Sequence, residues 1–290
     1  MKVLVSTDSS CLINQHVFDK YEINVFPLNV IIDGEEFLDG VSINQEQLRD
    51  DLRANKSIKT STPPLGEVIE YFEKLFAKGY DQIIHFTISS KLSSMFELFK
   101  NVAEQNFKGK LTVIDSLAVS TAMLRQVFFA YDEVKKGTSI EEIVKLNEKN
   151  REQTPLIAIP ENLNALKNGG RISPTVALIG NSIGIKPLIA MIDGSLEKQG
   201  MVRNTKRAMC DHIADCLKKF PISKYDYTLI MFDADARTID YVKNNFKELE
   251  PNYELIDGVL PINVCAHIGP GSIGLVVTPL VNGKSIHEFI

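Results

Sequence analysis

The sequence predicts an α/β fold in two domains, each with a mainly parallel sheet flanked by helices. Three observations carry this. Short runs rich in Val, Ile and Leu alternate with amphipathic segments. That alternation starts afresh near residue 155. The polar signals collect just past the ends of the predicted strands, where open α/β sheets bind ligands.

The elements follow in chain order. Lys2–Ser6, Ile23–Leu28, Gln82–Thr87, Leu111–Ile114 and Pro155–Ile159 are compact apolar runs and read as strands buried on both faces. Asp33-Gly34 between Val30–Ile32 and Glu35–Leu38 predicts a hairpin extension. Leu65, Val68, Ile69, Phe72, Leu75 and Phe76 recur at helical spacing, with Gly79 as a left-handed cap. Ala118–Lys136 is a second helix, and Ser139 with Glu142 forms a capping box for a third over 140–152. In the second set, Gly184–Ile192 and Tyr227–Phe232 read as strands, and Thr205–Lys219 and Ala236–Leu249 as helices. The domains are thus expected at 1–154 and 155–290, with no Pro-rich or Ser-rich linker between them, so the halves should pack closely.

Composition removes several function classes. Of 290 residues, 32 are Lys or Arg and 37 Asp or Glu, a net charge of −5 with no basic block, which disfavours nucleic acid as a partner and a DNA-linked regulator as a role. Cys11, Cys210, Cys216 and Cys265 show no CxxC spacing, so neither a zinc site nor a dithiol motif is expected. His16, His85, His212 and His287 sit in plain contexts, and no His/Asp/Glu grouping has metal spacing. No apolar run is long enough to span a membrane, and the opening residues reach Thr7-Asp8-Ser9 too soon for a signal peptide; a cytoplasmic protein is expected.

Four hydroxyl-rich segments stand out: Thr7-Asp8-Ser9, Lys59 to Pro64, Ile88 to Ser94, and Asp115-Ser116. Each Ser or Thr alone could merely cap a helix; four at strand ends favour a shared anion site. No GxGxxG, GxxxxGK[ST] or GxSxG occurs, which removes the usual dinucleotide, P-loop and hydrolase readings. In the second half, Gly169-Gly170-Arg171-Ile172-Ser173 offers a fixed positive charge on a glycine-rich turn, suited to carboxylate or phosphate. Ile185-Lys186-Pro187 suggests a strand edge. Arg203, Lys206 and Arg207 open a helix as a basic cluster. His267 precedes Ile268-Gly269-Pro270-Gly271 in what reads as a close-approach loop.

Taken together these segments, with their order over essentially the whole chain, resemble the DegV family. That resemblance implies a bacterial fatty-acid-binding protein of two α/β domains, with the acyl chain in a buried tunnel and the carboxyl group between the domains. It also implies a non-catalytic subunit of a fatty acid kinase system, whose kinase subunit phosphorylates the presented carboxylate for phospholipid synthesis. On this basis Ser93 and the hydroxyls of Thr60, Ser61 and Thr62 would hold the carboxylate, with Ser94, His267 and Gly269 beside it. Arg171 would organise the polar end, and Arg203 would face the kinase. Which of the three hydroxyls at 60–62 makes contact stays open. The sequence departs from the family pattern at Ser94, Met95, Phe96 and Glu97, where Gly-Thr-Tyr-Gln is common, and at Met231-Phe232-Asp233, where a His is common.

The physics suits a lipid carrier. Burying ~14 methylenes at ~0.8 kcal/mol each contributes ~11 kcal/mol before the costs of binding. With 15 Phe and 7 Met the chain can line a dry tunnel, and Ser, Thr, His and Arg can satisfy a carboxylate that cannot be buried bare. No cofactor is expected. The alternative is a free-standing transferase acting on a small carbonyl or phosphate ligand through His267; the lack of a nucleotide motif and of a nucleophile–base pair argues against it.

Overall fold

The computed structural model describes residues 2–11, 15–151, 153–161, 166–167, 170–171 and 184–290. The first half is organised by a four-stranded parallel sheet in the order β2-β1-β6-β7, from β1 (Val3–Asp8), β2 (Asn24–Phe26), β6 (Gln82–Thr87) and β7 (Leu111–Asp115). Its strands carry the apolar runs read from the sequence, because both faces are covered. Helices α3 (Leu65–Ala77) and α4 (Met95–Asn106) pack on one another, with Phe72 and Phe99 against the core His85 and Phe107 against Phe72.

Beside this sheet lies a smaller antiparallel one in the order β4-β3-β5, made of β3 (Asn29–Ile32), β4 (Glu35–Leu38) and β5 (Ile58–Ser61). The expected hairpin is present. Ile32 pairs with Glu35, and the two turn residues Asp33 and Gly34 both have positive φ, as a tight two-residue connection requires. The reading of Lys59 to Pro64 as a loop is corrected: Lys59, Thr60 and Ser61 belong to β5, because β3 offers a free edge with which Thr60 pairs opposite Val30. Helix α2 (Gln45–Arg53) connects β4 to β5, with the Asn44 side chain accepting a hydrogen bond from Gln47 N.

The second half departs from expectation in strand direction. Its six-stranded sheet runs β10-β9-β8-β13-β11-β12, from β8 (Leu156–Ile159), β9 (Lys186–Ile192), β10 (Ser195–Val202), β11 (Tyr225–Phe232), β12 (Ile256–Val259) and β13 (Ser272–Pro279). Only β11 and β12 pair in parallel; the other neighbours are antiparallel, so this sheet is not mainly parallel. The misreading has a physical cause: a strand buried on both faces shows the same apolar run in either direction. Here Leu156, Ala158, Ile230 and Val276 face the core shared with the first half, while Ile157, Ile159, Leu229 and Leu275 face an outer core under α7 (Thr205–Lys219) and α8 (Ala236–Leu249). Pro187 lies in β9, an interior strand, but beyond the stretch Ile189–Ala190 that pairs with β8.

Helix α5 (Ser120–Lys136) lies between the two large sheets and packs on both β1 and β13. That position explains why most of its residues are buried. Gly137 ends it at φ 81°. Helix α6 (Ile140–Arg151) follows; the Glu142 amide donates to Ser139 Oγ at 3.3 Å, half of the expected box. Two short helices are α1 (Gln15–Lys20) and α9 (Ile262–Ile268). None of these helices is long and apolar enough to cross a membrane.

Candidate functional site

The parallel sheet places the loops after β1 and β6 side by side, and Asp8 ties them together. Its carboxylate accepts from Ser10 N at 2.8 Å and from Ile88 N at 2.7 Å. Complete burial raises its pKa to about 6 against the pull of those donors. Ser9 Oγ donates to Asp39 at 3.0 Å, and Asn263 N donates to the same Asp39 oxygen at 3.1 Å. Asp39 is likewise raised by burial, to about 7. Ser116 Oγ donates to Ala118 O, and Asp115 accepts from the amides of Ser90 and Leu117. Thus Thr7-Asp8-Ser9 and Asp115-Ser116 act as cross-ties of the loop layer. The other two hydroxyl-rich segments reach a cavity.

That cavity, of about 120 Å³, lies between the three-stranded sheet, the loop after β6 and the inner face of the six-stranded sheet. Its walls are mostly aliphatic: Leu28, Ile88, Leu92, Val119, Leu156, Ile189, Leu196, Ile230 and Leu260, with Met95 and Ile268. Val119 reaches it from a turn in which Leu117 and Ser120 both have positive φ, a strained conformation for non-glycine residues that the buried surroundings hold. The polar lining is a small group: Thr60, Ser61, Thr62, Ser93, Arg171, Asn263 and His267.

Strand β5 and helix α9 bring the key pair together, with Thr60 Oγ1 2.8 Å from His267 Nε2. Burial first, and then the charge of Arg171, lower the His267 pKa to about 4, so the ring is neutral at pH 7. Arg171 Nε donates to Leu92 O at 3.4 Å, which holds the guanidinium over the serine loop. Thr62 Oγ1 and Ser94 Oγ lie 2.9 Å apart at the exposed rim. Ser93 Oγ accepts from Met95 N at 3.4 Å at the start of α4.

The predicted site residues therefore fall into three groups. Thr60, Ser61, Thr62, Ser93, Arg171 and His267 line one cavity, and Ser94 touches one of them. Gly269 does not line it. At φ 78° it ends α9, its amide bonded to Cys265 O and its carbonyl accepting from Ser272 Oγ. Arg203 is exposed in the connection from β10 to α7. Gly169, Ile172 and Ser173 of the glycine-rich turn lie outside the described residues. The reading of His267 as a loop residue is corrected, since it is carried by α9. Seven residues are too few to show a helical period, and Pro261 before them and Gly269-Pro270-Gly271 after them look like loop.

Sequence reasoning missed Asn263, one helical turn before His267. The only available signal was that spacing of four, which puts both side chains on one face of a helix. Of the departures noted in the sequence, Met95 lines the cavity, whereas Glu97 is exposed on α4. Asp233 is ion-paired with Arg53 at 2.7 Å. Among the described residues, no group of three or more His, Cys, Asp or Glu could hold a metal ion.

A mostly aliphatic cavity with a few hydroxyls, one amide, an imidazole and a guanidinium in its wall can hold an amphiphile with an anionic head. Solved structures with the same architecture include a fatty-acid-binding DegV family protein from Thermus thermophilus, with 22% identity, a TM-score of 0.85, and coverage of 97% of this chain and 100% of that one. A second, from Streptococcus agalactiae and also described as fatty acid binding, shows 24% identity, a TM-score of 0.85 and coverage of 96% and 99%. At such identities the likeness concerns the fold. In sequence, a DegV domain-containing protein of Staphylococcus aureus is 34% identical over 281 residues, covering 95% of this chain and 98% of its own length. The model of the family described as "Uncharacterised protein, DegV family" matches residues 2–280. With the family's pattern running through both halves, and a relative a third identical over nearly all of its length, this chain belongs to the DegV family.

Proposed function

We propose that this protein binds a long-chain fatty acid, with its chain among the aliphatic residues of the cavity and its carboxylate at the Thr60–Ser93–Arg171–His267 end. The carrying observation is a mostly aliphatic cavity whose few polar lining residues include Arg171 and the bonded pair Thr60 and His267. A carboxylate there meets a fixed cation in Arg171 and hydroxyl donors in Thr60 and Ser93, the partners a buried anion needs. Fatty acid binding by relatives of the same fold supports this ligand class. Residues 1–154 and 155–290 act as the two domains that hold the ligand between them.

The protein is a carrier and not the catalyst. It presents the carboxylate to a partner kinase for acyl phosphate formation in the cytoplasm, and the exposed Arg203 guides that partner. Mass spectrometry of gently purified protein tests the ligand, with fatty acid expected in the cavity. An empty protein that also refuses added fatty acid after delipidation would reject the reading. Turnover of a carbonyl or phosphate substrate by the isolated protein would replace the carrier role with a transferase.

A further inference from the structure

Asn263 is a polar lining residue that the carboxylate site leaves unexplained. It is only 5% exposed, and its backbone and side chain are both anchored: N donates to Asp39 at 3.1 Å and Nδ2 donates to Ser10 Oγ at 2.9 Å. Its Oδ1 is buried and has no hydrogen-bond partner among the described residues. An unmet buried amide oxygen is costly and calls for an explanation, and in a residue that lines a cavity a ligand group can supply it.

Its position says what that is. Asn263 and His267 stand four residues apart on the same face of α9, about 6 Å along the helix axis. His267 is half-buried beside Thr60, whereas Asn263 is buried and shares the cavity wall with Leu260 and Ile230. The amide therefore lies one turn inward from the head cluster, alongside the first few carbons of a ligand whose carboxylate sits at His267. A plain methylene chain offers it nothing. A hydroxyl does, and because it both donates and accepts, it pairs with the amide whichever of Oδ1 and Nδ2 faces the cavity.

We propose that Asn263 forms a hydroxyl subsite in the cavity wall, through which this protein prefers fatty acids bearing a hydroxyl on one of the carbons nearest the carboxyl group. The inference rests on the fatty-acid reading above and refines its substrate class. A single neutral hydrogen bond predicts a preference of about two- to tenfold over the unsubstituted acid.

Titration of the delipidated protein with hexadecanoic acid, its β-hydroxy and δ-hydroxy derivatives, and ω-hydroxyhexadecanoic acid tests this. At least one of the two proximal hydroxy acids should bind tighter than hexadecanoic acid, and the ω-hydroxy acid should not. Asn263→Leu should bring the ratio back to about one. Ser10→Ala removes the anchor of the amide nitrogen but not the amide, so it should keep the preference; this second variant stands in if Asn263→Leu fails to fold. Binding of hexadecanoic acid with no gain from either proximal hydroxyl overturns the subsite alone. So does a gain that survives Asn263→Leu, or one that Ser10→Ala abolishes. Refusal of every acid overturns the fatty-acid reading and the subsite with it.

Discussion

Thr60 Oγ1 and His267 Nε2 lie 2.8 Å apart, although 207 positions separate the two residues in the chain. The hydroxyl comes from a strand of the small antiparallel sheet, and the ring from a seven-residue helix in the other half. The pair joins the halves at the polar end of the cavity. Because burial first and then the charge of Arg171 lower its pKa to about 4, the ring is neutral near pH 7, and one of its nitrogens accepts while the other donates.

His267 should titrate near pH 4 in the lipid-free protein and higher once a carboxylate is bound, since a nearby anion favours the imidazolium. Without lipid, a depressed histidine pKa contributes stability that is lost as pH falls from about 6.5 towards 4. Imidazole NMR titration with and without fatty acid checks this. A midpoint that does not move on adding lipid, together with full lipid retention by His267→Ala, would make the ring purely structural.

Ser93→Ala should weaken fatty acid binding by about 1.5–3 kcal/mol, the usual worth of a hydrogen bond to a charged group. The fold should persist, because the side chain's contact with Met95 N is long, at 3.4 Å. Isothermal titration of the delipidated variant measures the loss, and unchanged affinity would remove Ser93 from the site.

On the carrier role proposed above, Arg203→Ala should retain bound lipid while slowing phosphorylation by the proposed partner kinase, since an exposed charge outside the cavity acts mainly on association. Lipid content by mass spectrometry and the rate of acyl phosphate formation separate the two effects. Loss of lipid with normal coupling would assign the residue to the ligand instead.

Asp39→Asn should flatten the pH dependence of stability. The Asp39 pKa is raised from 3.8 to about 7 on folding, so its protonated form favours the native state below pH 4 and that contribution disappears as pH rises through 7. Thermal unfolding between pH 4 and 8 should show the wild type losing stability across this window relative to the variant. Parallel curves would mean that the donors from Ser9 and Asn263 fully compensate the buried charge.

Gly194→Ala should destabilise by more than about 1 kcal/mol. Gly194 holds φ 82° in the β9–β10 hairpin, and an added Cβ would sit 2.5 Å from Ser89 Oγ and 2.8 Å from Leu117 Cδ2. Ser89 Oγ already donates to Gly194 O at 2.8 Å, so the substitution strikes the contact between the serine loop and the second half. Chemical denaturation would check it, with an unchanged midpoint showing that the loop yields freely.

The sequence by itself determined the elements whose signals are local. Apolar runs marked β1, β6, β7 and β8; helical spacing marked α3; Asp33-Gly34 marked the hairpin. Arg171, Ser93 and His267 were recognisable as polar groups next to glycines or strand ends. Tertiary structure alone decided what depends on distant partners. Direction in the six-stranded sheet was invisible because a doubly buried strand has no sign in its composition. Thr60 became a strand residue only because β3 left an edge to pair with. Asn263 became a cavity residue only because Asp39 and Ser10, more than 220 positions away, fix α9 by its first turn. Local propensity sets what a segment can form; hydrogen bonds and burial between segments far apart in sequence set which side chains meet.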